Sequence, residues 1–231
     1  MKTIPSLSIL FPCYNDAETI GNLVENAIKV AKSHCENIEV VVVDDASADK
    51  SLAVLHHLKK EHPHLKIISH SINRGYGATL RSGFQVCSKE YIFYTDGDGQ
   101  YDVFELSKCI KRLTPNVDIV NGYKLNRADP IYRKVIGKIY VHFTRKLFYL
   151  KMRDINCDFR LMRTSLIHRL NLKSIGGEIR LELIVQAQKH NAQIVEVPVV
   201  HYPRRYGTSQ FFNAKNIFKM IRGVIELKWN L

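Results

Sequence analysis

The chain has 231 residues, of which 45% are hydrophobic and 24% charged, and this composition excludes an intrinsically disordered protein. No apolar run approaches the roughly eighteen residues that a membrane-spanning helix needs, and no signal-peptide core follows the first residues, so we expect a protein that starts and stays in the cytoplasm. The formal net charge is +12, and the five cysteines form no C-x-x-C pair. Reduced thiols are therefore expected rather than disulfides or a zinc site.

The first half of the chain alternates short apolar runs with amphipathic ones, a pattern typical of parallel strands joined by crossover helices. Strands are predicted at residues 7–11, 39–43, 66–69, 91–95 and 118–120, and helices at 17–33, 47–61, 78–87 and 103–113. The second half departs from this alternation, with a long amphipathic helix at 131–150 and strand-like runs at 155–162 and 193–199. The pattern predicts an α/β protein with a right-handed doubly wound sheet.

Acidic side chains follow two of the predicted strands. Asp44 and Asp45 end one strand, and Asp96 and Asp98 follow another in the sequence DGDGQ at 96–100. Because ligands of open parallel sheets bind beyond the carboxyl ends of the strands, we expect these carboxylates at one crevice. Two such carboxylates suit a hard divalent cation with a phosphate ligand, and the flanking glycines would let a diphosphate approach. An Asp- and Gly-rich surface turn is the alternative.

A glycine-containing turn, NRGYGA at 73–78, lies between a predicted strand and a predicted helix. Its backbone N–H groups and Arg74 could bind a phosphate at the start of the helix. Such turns are also common for packing reasons alone, and the spacing fits neither the Rossmann fingerprint nor a Walker A loop.

Taken in order, these motifs resemble those of the family-2 glycosyltransferases. The similarity is greatest to the branch of dolichol-phosphate mannosyltransferases and polyprenyl-phosphate glycosyltransferases, and it covers roughly residues 5–212. The motifs that carry it are PCYND at 12–16, VVVDDASAD at 41–49, NRGYG at 73–77, DGDGQ at 96–100, NGYK at 121–124, DINCDFR at 154–160 and the segment 197–209.

The resemblance implies a GT-A-like fold, with a mostly parallel central sheet flanked by helices. It implies a catalytic domain over residues 1–212, followed by an amphipathic basic helix over residues 213–231. The implied reaction is inverting, metal-dependent transfer of a hexose from a GDP- or UDP-sugar to a polyprenyl phosphate such as dolichyl or undecaprenyl phosphate.

Residue roles follow from the same resemblance. The base and ribose pocket would be lined by Pro12, Tyr14, Asp16 and Asp44, although the family usually has Glu at position 16. Asp45, Gly75 and Asp96 are also expected at the nucleotide-sugar. Mg²⁺ or Mn²⁺ would be held by Asp96, Asp98 and Gln100, with Asp98 also counted as catalytic.

Cleaving a sugar–diphosphate bond requires a neutralised leaving group, which cationic side chains assist. The candidates are Lys124, Arg127, Arg133 and Arg204, and a solvated basic face is the alternative interpretation. Residues 124–154 hold 9 basic and 2 acidic side chains, and residues 201–231 hold 6 and 1.

The acceptor decides whether a general base is needed. A phosphate acceptor is already an anion, whereas a hydroxyl acceptor needs a carboxylate to take its proton. The candidates for such a base are Asp154, Asp158, Glu178 and Glu182. An acceptor hydroxyl on a cell-surface glycan or glycolipid is therefore the alternative function.

Membrane contact is the last expectation. Apolar residues recur every four positions in the predicted helix at 131–150, among basic residues and aromatics, and the tail repeats this pattern up to Trp229. Such helices favour peripheral binding at the cytoplasmic membrane face, directly or with an integral-membrane partner, and packing on the domain's own core is the alternative. A nucleic-acid-binding module, suggested only by the basic charge, and a catalytically silent scaffold fit the acidic turns poorly. We expect no nucleic-acid partner.

Overall fold

Seven strands form one sheet in the part of the chain that the structure describes. This computed structural model describes residues 4–127, 131–204, 206 and 214–230, and for residues 126, 127, 131, 133, 214–220 and 230 it describes the backbone alone. The strands are β1 (Ser6–Cys13), β2 (Asn37–Asp44), β3 (Leu65–Ser69), β4 (Tyr91–Thr95), β5 (Ile119–Arg127), β6 (Phe159–Arg163) and β7 (Ile194–His201).

Helices connect most of the strands. They are α1 (Ile20–Lys32), α2 (Ser51–Glu61), α3 (Tyr76–Val86), α4 (Leu106–Arg112, after a 3₁₀ turn at Val103–Glu105), α5 (Ile131–Phe148), α6 (Thr164–Ile167), α7 (Ile179–Lys189) and α8 (Ala214–Asn230). The elements predicted in the first half are confirmed, with most boundaries shifted by four residues or fewer. The exception is β5, which was predicted at 118–120 and extends to Arg127. The hydrophobic pattern assigned no extent to α7, because its residues from Leu181 to Ala187 are all buried, with the polar Glu182 and Gln186 among them. The helix therefore lacks the separate apolar and polar faces that make a surface helix recognisable in sequence.

The strand order is β3-β2-β1-β4-β6-β5-β7. Neighbouring strands are parallel except at β6, which is antiparallel to both β4 and β5. The expected mostly parallel sheet is therefore confirmed, but a reversed strand interrupts the doubly wound pattern. As a result, β6 begins at the edge where the parallel strands end.

Helices cover both faces of the sheet, which explains the continuous run of valines in β2. Val40 and Val42 pack in a cluster with α1, α2 and α4, whereas Val41 and Val43 pack on the opposite face with α3 and α7. A strand buried on both faces has no need of polar residues in alternation.

Glu39 is an acidic exception within this buried strand. Its side chain is only 5% exposed, and its carboxylate accepts hydrogen bonds from the Ser8 hydroxyl at 2.6 Å, the Ser88 backbone N–H at 2.6 Å and Lys66 Nζ at 2.5 Å. Burial alone would raise the pKa of Glu39, but the bonds from Lys66, Ser8 and Ser88 outweigh it and lower the pKa to about 2. The ionised carboxylate therefore stabilises this end of the sheet.

We predict that Glu39→Gln lowers the free energy of unfolding at pH 7 by about 1–3 kcal/mol, because it removes a buried charge that three donors satisfy. Since the folded pKa is below the unfolded value of about 4.5, the wild-type advantage is full above that value and disappears as the pH falls to about 2. Chemical denaturation over this pH range measures it. Glu61→Gln, at an exposed residue 3.9 Å from His57, is the matched control and should change stability by less than about 0.5 kcal/mol. Equal stability of Glu39→Gln and wild type at pH 7 would contradict the assignment.

Candidate active site

Charged side chains from both halves of the chain meet at one edge of the sheet. Asp96 and Asp98 follow the end of β4, and Asp158 directly precedes the reversed strand β6. Arg204 follows the end of β7, and Arg180 lies in the first turn of α7. The antiparallel direction of β6 is what brings Asp158 to the carboxyl ends of the parallel strands.

One buried network joins Asp96 to Asp158. The Tyr76 hydroxyl lies 2.7 Å from Asp96 Oδ1 and 2.8 Å from Asp158 Oδ1. Arg180 Nε is 3.3 Å from the same Asp158 oxygen, and the Arg180 guanidinium lies 5.0 Å from the centre of the Tyr76 ring. The first aspartate of the DGDGQ sequence is thus held by contacts that sequence spacing did not indicate.

The second aspartate of that sequence meets the segment after β7. Arg204 forms an ion pair with Asp98 Oδ2, while Asp98 Oδ1 accepts a hydrogen bond of 3.1 Å from the Gln100 backbone N–H. The Gln100 side-chain amide donates to the Tyr202 carbonyl at 3.0 Å, and the Tyr202 N–H donates to the Gln100 carbonyl at 2.9 Å. The structure therefore brings together three predicted site residues, Asp98, Gln100 and Arg204.

The carboxylates repel one another electrostatically. Burial is the largest cause of the raised pKa of Asp96, and the charges of Asp158 and Asp98 raise it further. Burial also raises the pKa of Asp98, although the Arg204 guanidinium opposes the shift. For Asp16, burial is again the main cause and the Asp98 charge adds to it, so that its pKa rises to about 6. Asp16, Asp96, Asp98 and Asp158 are thus acidic groups that influence one another in a largely buried region.

Asp16 lies against the DGDGQ turn. Its carboxylate accepts a hydrogen bond of 3.1 Å from the Tyr14 N–H, and Tyr14 itself is 41% exposed. A Cβ added at Gly97 would lie 2.8 Å from the Pro12 carbonyl oxygen and 3.0 Å from Asp16 Oδ2. Gly97 therefore makes room for the protein's own backbone, whereas the sequence suggested room for a diphosphate.

Asp45 is bound within the protein. Its carboxylate accepts hydrogen bonds from the backbone N–H groups of Arg74 at 2.8 Å and Gly75 at 2.9 Å, and it pairs with His70 Nδ1 at 2.6 Å. The N–H of Gly77 donates to the Ile175 carbonyl at 2.9 Å. The N–H groups of Arg74, Gly75 and Gly77, which were expected to bind a phosphate, thus have acceptors within the protein, and the structure gives Asp45 and Gly75 a role in shaping the turn.

Asp44 is buried at the end of β2. One oxygen accepts from the Ser47 N–H at 3.3 Å and the Ser69 hydroxyl at 3.4 Å, and Oδ1 is buried without a hydrogen-bond partner among the described residues. Nucleotide contacts by Pro12, Tyr14 and Asp44 stay predictions.

Of the basic side chains predicted to assist the leaving group, Lys124 and Arg204 are described and Arg127 and Arg133 are not. Lys124 donates to the Asn156 carbonyl at 2.9 Å, and its charge opposes the rise that burial causes in the pKa of Asp98. The side chains of Arg127 and Arg133 lie outside the described part of the chain.

Of the four residues considered as a general base, only Asp158 belongs to the network that contains Asp96. The other three bind backbone N–H groups: Asp154 that of Asn156, Glu178 that of Gly176, and Glu182 those of Lys173 and Ser174. Arg180 and Tyr76 are site residues that the sequence analysis missed. Tyr76 lay within a motif taken for a phosphate-binding turn, and Arg180 lies in no recognised motif.

The donor set at this edge suits a hard divalent cation, because carboxylate oxygens are the ligands that Mg²⁺ and Mn²⁺ prefer. Among the described residues, no three His, Cys, Asp or Glu side chains are arranged to hold an ion without other ligands. A site of one or two carboxylates that is completed by substrate phosphates is the usual way in which proteins bind Mg²⁺.

Comparisons with known proteins agree with this geometry. The family described as "Glycosyl transferase family 2" matches residues 8–170. The chain is 28% identical over 219 residues to an undecaprenyl-phosphate 4-deoxy-4-formamido-L-arabinose transferase of Photorhabdus laumondii, covering 94% of this chain and 66% of that protein. It is 28% identical over 235 residues to a dolichol-phosphate mannosyltransferase of Pyrococcus furiosus, covering 96% and 64%. The chain thus spans about two thirds of the length of these relatives.

The fold is similar to that of solved glycosyltransferases. Glucosyl-3-phosphoglycerate synthase from Mycobacterium tuberculosis, in complex with phosphoglyceric acid, matches with a TM-score of 0.78 at 12% identity, covering 97% of this chain and 80% of that one. The complex of that enzyme with Mn²⁺, UDP and glucosyl-3-phosphoglycerate matches with a TM-score of 0.75 at 13% identity, covering 98% and 79%. At these identities the likeness shows the fold alone, and the expected GT-A-like fold is confirmed.

We predict that Asp45→Ala lowers the free energy of unfolding by about 2–4 kcal/mol, because it leaves two backbone N–H groups and His70 without their acceptor. Chemical denaturation measures the loss. Hydrogen exchange should accelerate at the amides of residues 74 and 75 and stay unchanged in β1. An unchanged unfolding free energy and unchanged exchange would show that Asp45 does not hold the turn.

Proposed function

This chain belongs to glycosyl transferase family 2, and we propose that it transfers a hexose from a nucleotide-sugar, with inversion, to a polyprenyl phosphate. The observation that carries the proposal is the cluster of Asp16, Asp96, Asp98 and Asp158, with Arg204 and Lys124 beside it. The names of the curated relatives add support, because both act on lipid phosphates.

The acidic cluster would serve the departure of the nucleoside diphosphate. Asp98 and Gln100, with Asp96 next to them, are the residues that would hold Mg²⁺ or Mn²⁺. When bound, such a cation neutralises charge on the leaving diphosphate. Arg204, which pairs with Asp98 in this structure, would also be placed to pair with a phosphate of the donor or the acceptor.

The acceptor would attack without a protein base. A phosphate oxygen of the lipid forms a bond to the anomeric carbon from the face opposite the diphosphate, and the bond from that carbon to the diphosphate oxygen breaks. Inversion at the anomeric carbon follows from this single displacement. Because the phosphate is already an anion at neutral pH, no proton has to be removed.

The contacts of Asp158 favour the phosphate acceptor over a sugar hydroxyl. Of the four candidate bases, Asp158 belongs to the cluster, but its Oδ1 is within hydrogen-bond distance of Tyr76 and paired with Arg180. The Asp158 oxygen in this network is therefore already engaged by two neighbours, which disfavours its use as the base for an acceptor hydroxyl.

The helices α5 and α8 would hold the protein at the cytoplasmic face of the membrane. Val135, Ile139 and Phe143 form a stripe at four-residue spacing along α5 and are 49%, 64% and 51% exposed. Residues 131–148 hold five basic side chains and no acidic one. Exposed apolar side chains among cations fit the interface of an anionic bilayer. No helix of the described residues is long and apolar enough to cross a membrane.

A similar stripe lies on α8, which packs on the end of α5. Ile221, Ile225 and Trp229 are exposed, whereas Val224 and Leu227 are buried in the cluster that contains Phe148 of α5. Lys228 donates to the Leu147 carbonyl at 3.2 Å. The two helices therefore form one unit, each with its own exposed apolar stripe.

We predict that the purified protein transfers radiolabelled sugar from one GDP- or UDP-sugar into organic-extractable lipid when Mg²⁺ or Mn²⁺ and polyprenyl phosphate are present. Asp98→Ala should lower this rate at least a hundredfold without loss of fold, because it removes the carboxylate next to the leaving group. Asp102→Ala is the matched control: Asp102 lies in the same loop, but its carboxylate accepts from the Phe104 N–H. An unchanged rate in Asp98→Ala would contradict the metal assignment, and labelling of a glycan alone would favour the hydroxyl acceptor.

We also predict that Ile139→Ser/Phe143→Ser weakens binding to vesicles of anionic lipid at least fivefold, because two apolar side chains no longer enter the interface. Vesicle co-sedimentation measures the partition. Ile72→Ser/Val86→Ser, which alters exposed apolar side chains elsewhere, is the control and should bind as wild type does. Equal binding by both double variants would contradict the membrane role of α5.

A further inference from the structure

Tyr76 is the first residue of α3 and stands between two glycines, Gly75 and Gly77, at which a side chain would clash with backbone. A Cβ at Gly75 would lie 2.6 Å from the Ile175 carbonyl oxygen, and the φ of Gly75 is +93°. A Cβ at Gly77 would lie 2.5 Å from the Ser174 carbonyl oxygen. Both contacts are with backbone, which cannot move aside like the end of a side chain. Residues 75–77 therefore pack directly against the backbone of residues 174–176. This packing fixes the position of the Tyr76 backbone, from which its side chain extends.

The Tyr76 hydroxyl lies between two carboxylates from different strands. It is within hydrogen-bond distance of Asp96 at 2.7 Å and of Asp158 at 2.8 Å, and its single proton can be donated to only one of them at a time. The Arg180 guanidinium contacts the Tyr76 ring and Asp158, so the side chain is held on both sides. Without the hydroxyl, the two acidic groups would face each other with no donor between them.

We propose that Tyr76 is a positioning residue, whose hydroxyl holds the Asp96 carboxylate in place beside Asp98 for the binding of the metal and diphosphate. This inference rests on the proposed function. Groups that orient metal ligands typically change metal affinity by ten- to a hundredfold when they are removed. Since Tyr76 is anchored by backbone contacts at Gly75 and Gly77, it transmits the rigidity of the turn to the site.

The chain offers a matched control in Tyr94. It lies on β4, is fully buried, and its hydroxyl has no hydrogen-bond partner among the described residues. Tyr94→Phe removes the same atom as Tyr76→Phe within the same region, but no bond to a carboxylate.

The experiment measures Mn²⁺ affinity by electron paramagnetic resonance in the presence of UDP or GDP, at a temperature below the melting midpoint of every variant. Tyr76→Phe is expected to weaken Mn²⁺ binding at least tenfold and to broaden the spectrum of the bound ion, whereas Tyr94→Phe stays within twofold of wild type. A structural role alone would lower the melting temperature and leave the affinity of the folded protein unchanged. Mn²⁺ binding by folded Tyr76→Phe within twofold of wild type would overturn the proposal.

A second variant distinguishes the position of the Asp96 carboxylate from the total negative charge of the cluster. It also tests the proposal if Tyr76→Phe does not fold. Asp158→Asn removes one negative charge and leaves the Tyr76 hydroxyl free to donate to Asp96. Mn²⁺ affinity within threefold of wild type is expected. A loss of tenfold or more in Asp158→Asn would show that the charge of the cluster matters rather than the position of Asp96, and would overturn the proposal. Absence of Mn²⁺ binding by the unaltered chain would instead overturn the proposed metal-dependent function and this inference together.

Discussion

The accumulation of negative charge at one edge of the sheet is the constraint on which the site depends. Burial raises the pKa values of Asp16, Asp96 and Asp98. Neighbouring negative charges raise them further: that of Asp98 acts on Asp16 and Asp96, and that of Asp158 acts on Asp96 and Asp98. Such a cluster persists only where donors or cations compensate it. In this protein Tyr76, Arg180 and Arg204 provide that compensation, and we interpret Asp96 and Asp98 as the members of the cluster that bind a cation together with a diphosphate.

The sheet topology explains how residues so far apart in sequence meet. Parallel strands place Asp44, Asp45 and Asp96 at their carboxyl ends, as in any open α/β sheet. The reversed strand β6 adds Asp158 from the opposite chain direction. The segment after β7 then passes over the DGDGQ turn, where two hydrogen bonds between Gln100 and Tyr202 hold it. Both halves of the chain are therefore needed to complete the site.

Sequence patterns predicted the parts of this arrangement that local rules control. Buried valine runs and strand-end aspartates revealed the first four strands and the position of Asp96 and Asp98. The reversed direction of β6 carries no local signal, because antiparallel pairing depends on the path of the whole chain. Tyr76 was hidden within a motif that has the composition of a phosphate-binding turn. Only the structure shows that Asp45 accepts from the N–H groups of Arg74 and Gly75, and that the Ile175 carbonyl accepts from that of Gly77.

We interpret Asp96 and Asp98 as carboxylates that bind a divalent cation together with a nucleoside diphosphate. The most direct test is a crystal structure with Mn²⁺ and UDP or GDP, in which anomalous scattering locates the ion. We expect an anomalous peak within about 2.2 Å of an Asp98 oxygen, with Arg204 moved from Asp98 to a phosphate. An occupied nucleotide with no anomalous peak at Asp98, and with the Asp98–Arg204 ion pair intact, would contradict it.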